Sequence, residues 1–394
     1  MTNLPQGWEW KSLGEICFIT DGTHKTPNYI ETGIPFLSVK NISKGFFDLS
    51  DVKYISLEEH NKLIKRAKPE FGDILICRIG TLGKAIKISL EFEFSIFVSL
   101  GLLKPKVKII SDYLVYFLNS CFIEEWINDN KVGGGTHTAK LNLNILEKCP
   151  IALPPLKEQE RIVGILDESF AKIDESIKIL EQDLLNLDEL MQSALQKAFN
   201  PLKDNAKENY KLPQSWEWKS LEEISENISA GGDKPKNCTE SKTAKNQIPV
   251  YANGVNNNGL VGYTDKATII KPSLTISARG TIGFVCIRKE PYFPIVRLIS
   301  LIPCENILCL HYLYFCLNFF IAKGEGSSIP QLTIPKFKSL QIPLPPIKEQ
   351  EQITSHLDEL SSHVKNLKQN YQAQIKDLQE LKNSLLDKAF KGNL

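Results

Sequence analysis

Between Glu158 and Phe199 apolar side chains return every three or four positions: Ile162, Leu166, Phe170, Ile173, Ile177, Leu180, Leu184, Leu187, Met191 and Leu195. This heptad seam, sustained over about five repeats, predicts a long helix that buries one face. Pro154-Pro155 ends any strand before it and suits a helix's first turn. Glu158 and Glu160 then place negative charge where a helix N-terminus favours it. A second seam follows far along the chain, through Ile353, Leu357, Leu360, Val364, Leu367, Tyr371, Ile375, Leu378 and Leu385. The first helix would be roughly 63 Å long at ~1.5 Å per residue. One apolar face on each of two equally long helices predicts that they pair as an antiparallel coiled coil. The competing expectation is that each packs on its own globular part.

Outside the seams the pattern changes. Short β-branched and aromatic runs, such as Asp73 to Cys77, Leu274 to Ser277 and Ile295 to Ile302, predict strands. Asp112 to Asn119 and Leu310 to Asn318 read as helices. These are α/β or α+β domains of about 120–140 residues, a normal size for one core.

The chain is written twice. LPQGWEWKSLGEI at Leu4 to Ile16 returns as LPQSWEWKSLEEI at Leu212 to Ile224, matching at eleven of thirteen positions. IALPPLKEQERIVGILDE at Ile151 to Glu168 returns as IPLPPIKEQEQITSHLDE at Ile342 to Glu359, and each tail closes on Lys-Ala-Phe. Gly80-Thr81-Leu82-Gly83 corresponds to Gly280-Thr281-Ile282-Gly283. The regions between these blocks differ. Lys25 to Asn28 has no counterpart, and neither does the asparagine- and glycine-rich run from Asn253 to Gly259. Two frames of one design therefore hold two different inserts. The expected division is a domain over 1–150, a long helix over 151–203, a second domain over 204–341 and a second helix over 342–394.

Composition narrows the function. Of 394 residues, 42% are hydrophobic and 24% charged, which excludes a disordered chain. Net charge is +1, so the whole chain is no polycation coating nucleic acid by charge alone. By segment, the globular parts carry net +1 and +4, the first tail −4 and the second zero. If DNA binds, the domains touch it and the helices do not. Nine scattered cysteines, without a CxxC pair, fit a reducing cytoplasm and argue against a disulfide framework or zinc ribbon. Met1 to Pro5 has neither a basic head nor an apolar run, so no signal peptide is expected. The most apolar stretch, Leu298 to Ala322, is interrupted by Pro303, Glu305, Asn306 and His311 and reads as buried core rather than a membrane span.

Catalytic patterns are near misses, and no catalytic residue or metal site is assigned. Gly80 to Ala85 lacks the P-loop spacing and its Ser/Thr. No [DN]-P-P-[FYW] tetrad of amino-methylating enzymes occurs. Glu9-Trp10-Lys11 and Glu217-Trp218-Lys219 end like nuclease motifs but lack an upstream Pro-Asp. Binding features are better. The tryptophan pairs Trp8/Trp10 and Trp216/Trp218 read as core anchors. The GTxG turns, beside Arg78 and Lys84 in one copy and Arg279 in the other, are either phosphate-facing turns or plain β-turns. The loops at Gly133 to Lys140 and Gly324 to Gln331 are small and polar, suited to groove contact or to mere connection.

In this order the motifs (W-E-W-x-x-L-x-E-I, a GDIL-type strand before G-T-x-G, a glycine loop, and L-P-P-[LI]-K-E-Q-E opening a helix that ends in K-A-F) resemble the specificity subunit of a type I restriction–modification enzyme. The resemblance spans nearly the whole chain. It implies two target-recognition domains, each reading half of a split, asymmetric site in double-stranded DNA. It implies helices that set the gap between half-sites and dock two methyltransferase subunits, with nuclease-translocase subunits joining them. No cofactor is expected in this subunit, because S-adenosylmethionine, ATP and Mg would belong to the partners. A stand-alone DNA-modifying enzyme and a coiled-coil adaptor without DNA binding are the alternatives. Candidate DNA contacts are Lys25, Lys40, Asn41, Arg78, Lys84, Thr136, His137 and Lys140 in the first copy. In the second they are Lys234, Lys236, Asn253, Asn256, Asn257, Arg279, Ser327, Ser328 and Gln331.

Overall fold

The computed structural model describes residues 4–133, 139–199, 213, 215–321 and 332–393. The chain divides into two units, Met1–Leu180 with Gln372–Leu394, and Glu181–Tyr371. The first unit opens with β1 (Glu9–Ser12), α1 (Leu13–Ile16), β2 (Cys17–Asp21), β3 (Ile34–Leu37), β4 (Lys53–Ile55) and α2 (Leu57–Leu63). It continues through β5 (Ile74–Cys77), β6 (Ala85–Lys87), β7 (Ser95–Ile96) and β8 (Leu100–Pro105). Helices α3 (Ser111–Leu118), α4 (Cys121–Asn130) and α5 (Leu143–Leu146) lead to β9 (Pro150–Leu153) and the long α6 (Leu156–Phe199), which ends in the second unit.

The second unit follows the same order. It holds β10 (Glu217–Ser220), β11 (Ser225–Ala230), β12 (Ile248–Tyr251), β13 (Leu260–Thr264), β14 (Ser273–Ile276) and β15 (Val285–Arg288). Then come β16 (Phe293–Pro294), β17 (Ile299–Pro303), α7 (Leu310–Phe320), α8 (Ile334–Lys338), β18 (Gln341–Leu344) and α9 (Ile347–Phe390), whose last turns belong to the first unit.

Each unit carries a four-stranded antiparallel sheet, β2-β8-β5-β6 or β11-β17-β14-β15. Each also has a three-stranded sheet, β4-β3-β7 or β13-β12-β16, with one parallel pair. All four residues of β5 are buried because the strand is covered on both faces. Ile74 and Ile76 enter one core with α3 and α6, while Leu75 and Cys77 enter another with Leu37, Phe94 and Ile96. The run Ile295 to Ile302 is not one strand. Val296 (φ 53°) and Arg297 (φ 59°) are left-handed, so β17 begins only at Ile299.

The repeated blocks are each other's partners. β1 pairs antiparallel with β9 from Glu9 opposite Leu153 to Ser12 opposite Pro150. β10 pairs likewise with β18, Glu217 opposite Leu344 to Ser220 opposite Gln341. The shared KSLxE sequence is a capping box in both copies: Glu15 accepts from Ser12 N at 2.6 Å, and Glu223 from Ser220 N at 2.8 Å. The tryptophans anchor unevenly. Trp8 and Trp10 are partly buried against the core, whereas Trp218 is 46% exposed beside Phe320.

The two glutamines of KEQE are buried joints. Gln159 accepts from Ile110 N at 3.0 Å and donates to Pro154 O at 2.8 Å, tying the start of α6 to the start of α3. Gln350 repeats this with Cys309 N, Ile307 O and Pro345 O, all at 2.8 Å. The helix seam lies inward at Ile162, Leu166, Ile173 and Leu187, which are buried, and at Ile177, Leu180 and Leu184, which are half-buried. On α9, Leu357 and Val364 are buried and Ile353, Leu360 and Leu378 half-buried. Leu367 corrects the expected seam: it is 39% exposed, and its neighbour Lys368 turns inward to pair with Asp188 at 2.5 Å. In the first unit Lys382 pairs with Asp174 in the same way and lies 5.0 Å from the Phe170 ring. Within each unit the helices therefore run antiparallel. Residues 162 and 166 share a core with 386, 389 and 390, and residues 195 and 199 share one with 357.

Candidate nucleic-acid interface

β5 and β6 are joined by the GTLG turn, which needs left-handed backbone at Gly80 (φ 83°) and Gly83 (φ 82°). A side chain at Gly83 would also strike Ile127, 2.4 Å from the position of its Cβ. Gly83 N donates to Cys77 O at 2.9 Å, and Gly283 N to Ser277 O at 3.0 Å in the second unit. The base of the glycine loop lies beside this turn. It is closed by Val132 and Lys140, whose amides bond each other's carbonyls at 2.9 and 2.8 Å. Leu141 N donates to Arg78 O at 2.9 Å, and Leu332 N to Ala278 O at 3.0 Å, so turn and loop base are adjacent in both copies. In the first unit they border a cleft of about 500 Å³ that includes Thr81, Lys84, Asn128 and Lys131.

The last contact also aligns the copies: the place of Arg78 is held by Ala278. Arg78 is buried, with Nε donating to Leu141 O at 2.9 Å and Nη1 to Asp21. It cannot face DNA as expected from sequence. It clamps the glycine-loop base to the end of β2 instead. Asn41 is a second correction. It is buried, its Oδ1 accepting from Ser38 N at 2.9 Å and its Nδ2 donating to Asp48 O at 3.0 Å and Asp51 O at 3.3 Å. Asn253 is half-buried, its Nδ2 donating to Val296 O at 2.6 Å and its Oδ1 accepting from Ala278 N at 2.8 Å. Short amides in irregular segments are readily spent on backbone groups.

Lys25, Lys40, Lys140, Lys234, Lys236, Asn256, Asn257 and Arg279 are exposed, and Lys84 is half-buried against Gly45. Asn257 (φ 47°) and Asn258 (φ 51°) form a left-handed turn, which asparagine tolerates better than most residues. Thr136, His137, Ser327, Ser328 and Gln331 lie outside the described residues. Lys84, Arg78 and Lys140 are brought together around β5: Cys77 N bonds Lys84 O, and Ile79 bridges Lys140.

The sequence reading missed a cluster centred on Asp21. This carboxylate is 1% exposed at the end of β2. Its Oδ2 takes Arg78 from inside and His24 Nε2 at 3.0 Å, and its Oδ1 takes Arg66 Nη2. Burial alone would raise the Asp21 pKa, but the hydrogen bonds and charges of Arg66 and Arg78 hold it below the usual value. The available signal was an acid closing a largely apolar strand, Cys17-Phe18-Ile19-Thr20-Asp21.

Among the described residues no three His, Cys, Asp or Glu side chains gather as a metal site. His60 meets Ser95 Oγ at 2.9 Å and lies 3.6 Å from Glu93, an order that suggests a relay. His60 and Ser95 are each 1% exposed, so no substrate reaches them. Burial pushes the Cys17, Cys77 and Cys149 thiols up to about 12, far from nucleophilic at neutral pH. No described helix is long and apolar enough to cross a membrane.

The fold and site define a duplicated recognition protein: one frame used twice, carrying different loops at the same place. The chain belongs to the family of the type I restriction modification DNA specificity domain, whose pattern matches residues 5–184 and 213–377. It is 30% identical over 274 residues to a Mycoplasma pneumoniae protein named as a candidate type I specificity subunit, S.MpnORF507P, covering 68% of this chain and 69% of that one. It is 23% identical over 443 residues to the type I restriction enzyme EcoKI specificity subunit of Escherichia coli K12, covering 99% and 90%. Two solved structures share the fold. One is a chain described under complex assembly and conformational transition of the type I R-M system (TM-score 0.82, 21% identity, all of both chains). The other is the HsdS subunit from Thermoanaerobacter tengcongensis (TM-score 0.61, 22% identity, 100% and 99%).

Proposed function

We propose that this chain is the DNA sequence-specificity subunit of a type I restriction–modification system, without catalysis of its own. Residues 1–150 and 204–341 each read half of an asymmetric, bipartite site in double-stranded DNA. The paired halves of α6 and α9 set the unread gap and dock methyltransferase subunits, which nuclease-translocase subunits join. S-adenosylmethionine, ATP and Mg act in those partners, and the assembly works in the cytoplasm where the DNA lies. The observation that carries this reading is the contrast within one chain. Capping box, strand pair and glutamine joint recur residue for residue, while the loops they hold up do not. A frame kept constant under changing loops suits reading two different half-sites.

The test is a swap in the assembled complex. Replacing residues 17–150 with the corresponding region of a relative, then sequencing modified adenines in the host genome, should change one half of the methylated motif. A change in both halves, or in neither, would reject the reading.

A further inference from the structure

We propose that Arg66 reads a guanine in the half-site recognised by the first domain, held in a reading posture by the buried carboxylate of Asp21. The inference rests on the DNA-reading function above and assigns it a residue.

Arg66 follows α2 and reaches across to the end of β2. Its Nε donates to Asp21 O at 3.2 Å and its Nη2 to Asp21 Oδ1, so one edge of the guanidinium is fixed. Nη1 has no hydrogen-bond partner among the described residues, and the side chain is 55% exposed. Along the edge formed by Nη1 and Nη2, the one further contact among the described residues is the 3.5 Å approach of Nη2 to His24 Nε2. That two-donor fork matches O6 and N7 of guanine in the major groove, the commonest specific pairing of arginine with a base. Fixing the other edge in advance lowers the ordering cost of making it.

A purely structural role does not account for this arrangement. Arg78 already neutralises Asp21 from inside, so the second guanidinium leaves positive charge at the surface beside His24, whose Nε2 is 3.5 Å from Arg66 Nη2. The cluster is also absent from the second copy. By strand register Asp21, opposite Gly101, corresponds to Ala230, opposite Ile299, and Arg78 corresponds to Ala278. The stem of Arg78 lies where a Cβ on Gly101 would be, 3.0 Å away, and Ile299 fills that place in the second copy. Frame residues recur between copies; this group changes as a set, as reading elements do.

The test uses the full chain in complex with its methyltransferase subunits. Wild type, Arg66→Ala and Arg66→Lys are each expressed in the host for modified-adenine sequencing, and each is assayed for binding to duplexes of the resulting motif. Arg66→Ala and Arg66→Lys should both lose discrimination at one guanine of one half-site, on the order of tenfold. The other half should stay unchanged. Placing 7-deazaguanine at that position, which removes N7, should weaken wild-type binding and leave Arg66→Ala indifferent. Three results would overturn the proposal: an unaltered motif in both variants, a loss falling on all sites alike, or full rescue by lysine, which marks a phosphate contact. A wild-type chain that yields no bipartite motif would instead reject the DNA-reading function itself.

Discussion

Phe390, four residues from the end of the chain, packs edge-on against Phe117 of α3 with ring centroids 4.9 Å apart, and against Tyr113 at 5.7 Å. Phe199, its counterpart at the end of α6, stands edge-on to Tyr312 of α7 at 5.4 Å. The Lys-Ala-Phe ending of each tail is therefore a core element. It explains why the tails match to their last apolar residue while the inserts drift apart.

Phe390→Ala should cost the first unit about 3–5 kcal/mol, the range for removing a buried aromatic ring from a packed core. Phe199→Ala should do the same to the second unit. Urea unfolding monitored by hydrogen exchange distinguishes them: each substitution should lower protection in its own unit, around α3 or α7, well before the other. A loss of less than about 1 kcal/mol in both would mean that the tail ends are only loosely docked.

The buried glutamine joints make a second prediction. Gln159→Leu keeps the volume but leaves Ile110 N–H and Pro154 O without their partner. The expected cost is about 1–3 kcal/mol for the stranded groups. Gln350→Leu strands three groups, Cys309 N–H with Ile307 and Pro345 carbonyls, and should cost more. Denaturant midpoints of the two variants give the ranking directly.

The helices and the twofold frame were legible in the sequence because both are periodic or repeated, and burial of an apolar seam leaves a pattern that survives substitution. Leu367 shows the limit. It fits the heptad by type, yet the helix turns Lys368 inward because Asp188 waits there. Charge pairing across a seam is a tertiary fact that spacing along one helix cannot reveal. The site was less legible for the same reason. Arg78 and Asn41 have the side chains of DNA contacts, and only the fold shows that Asp21 and the backbone of residues 38–51 have already claimed them. Arg66 is one basic residue in a basic stretch, distinguished only by the carboxylate it meets 45 positions away.

The two inward lysines set register. From Asp174 to Asp188 is fourteen residues, two heptads, and from Lys382 back to Lys368 is fourteen again. A charge pair flanking an apolar seam penalises any slip of one helix past the other. Exchanging the charges with Asp188→Lys and Lys368→Asp together should restore most of what either single change loses. Because Asp188 is largely exposed, the coupling measured by a double-mutant cycle should be small, about 0.5 kcal/mol. Adding Asp174→Lys alone to the restored pair should again destabilise the helix pairing, this time in the first unit. A coupling of zero at both sites would remove the charge pairs from any part in fixing register.

The Asp21 cluster predicts a particular dependence on pH. Its carboxyl is held below its ordinary pKa in the folded chain. A group with a depressed folded pKa contributes stability above its unfolded value of about 3.9, and that contribution is lost as pH falls through the lower, folded value. Asp21→Ala should therefore destabilise the first unit at neutral pH by about 3–5 kcal/mol, because Arg78 is left buried without a counter-charge. The gap between wild type and variant should hold from pH 7 down to about 4 and shrink only below that. Asp21→Asn, which keeps hydrogen-bond acceptance but not charge, should fall between the two and show a flatter profile at low pH. Urea midpoints of wild type and both variants across pH 2.5–7 check this. A gap that closes above pH 5 would mean that a group other than Asp21 governs the cluster.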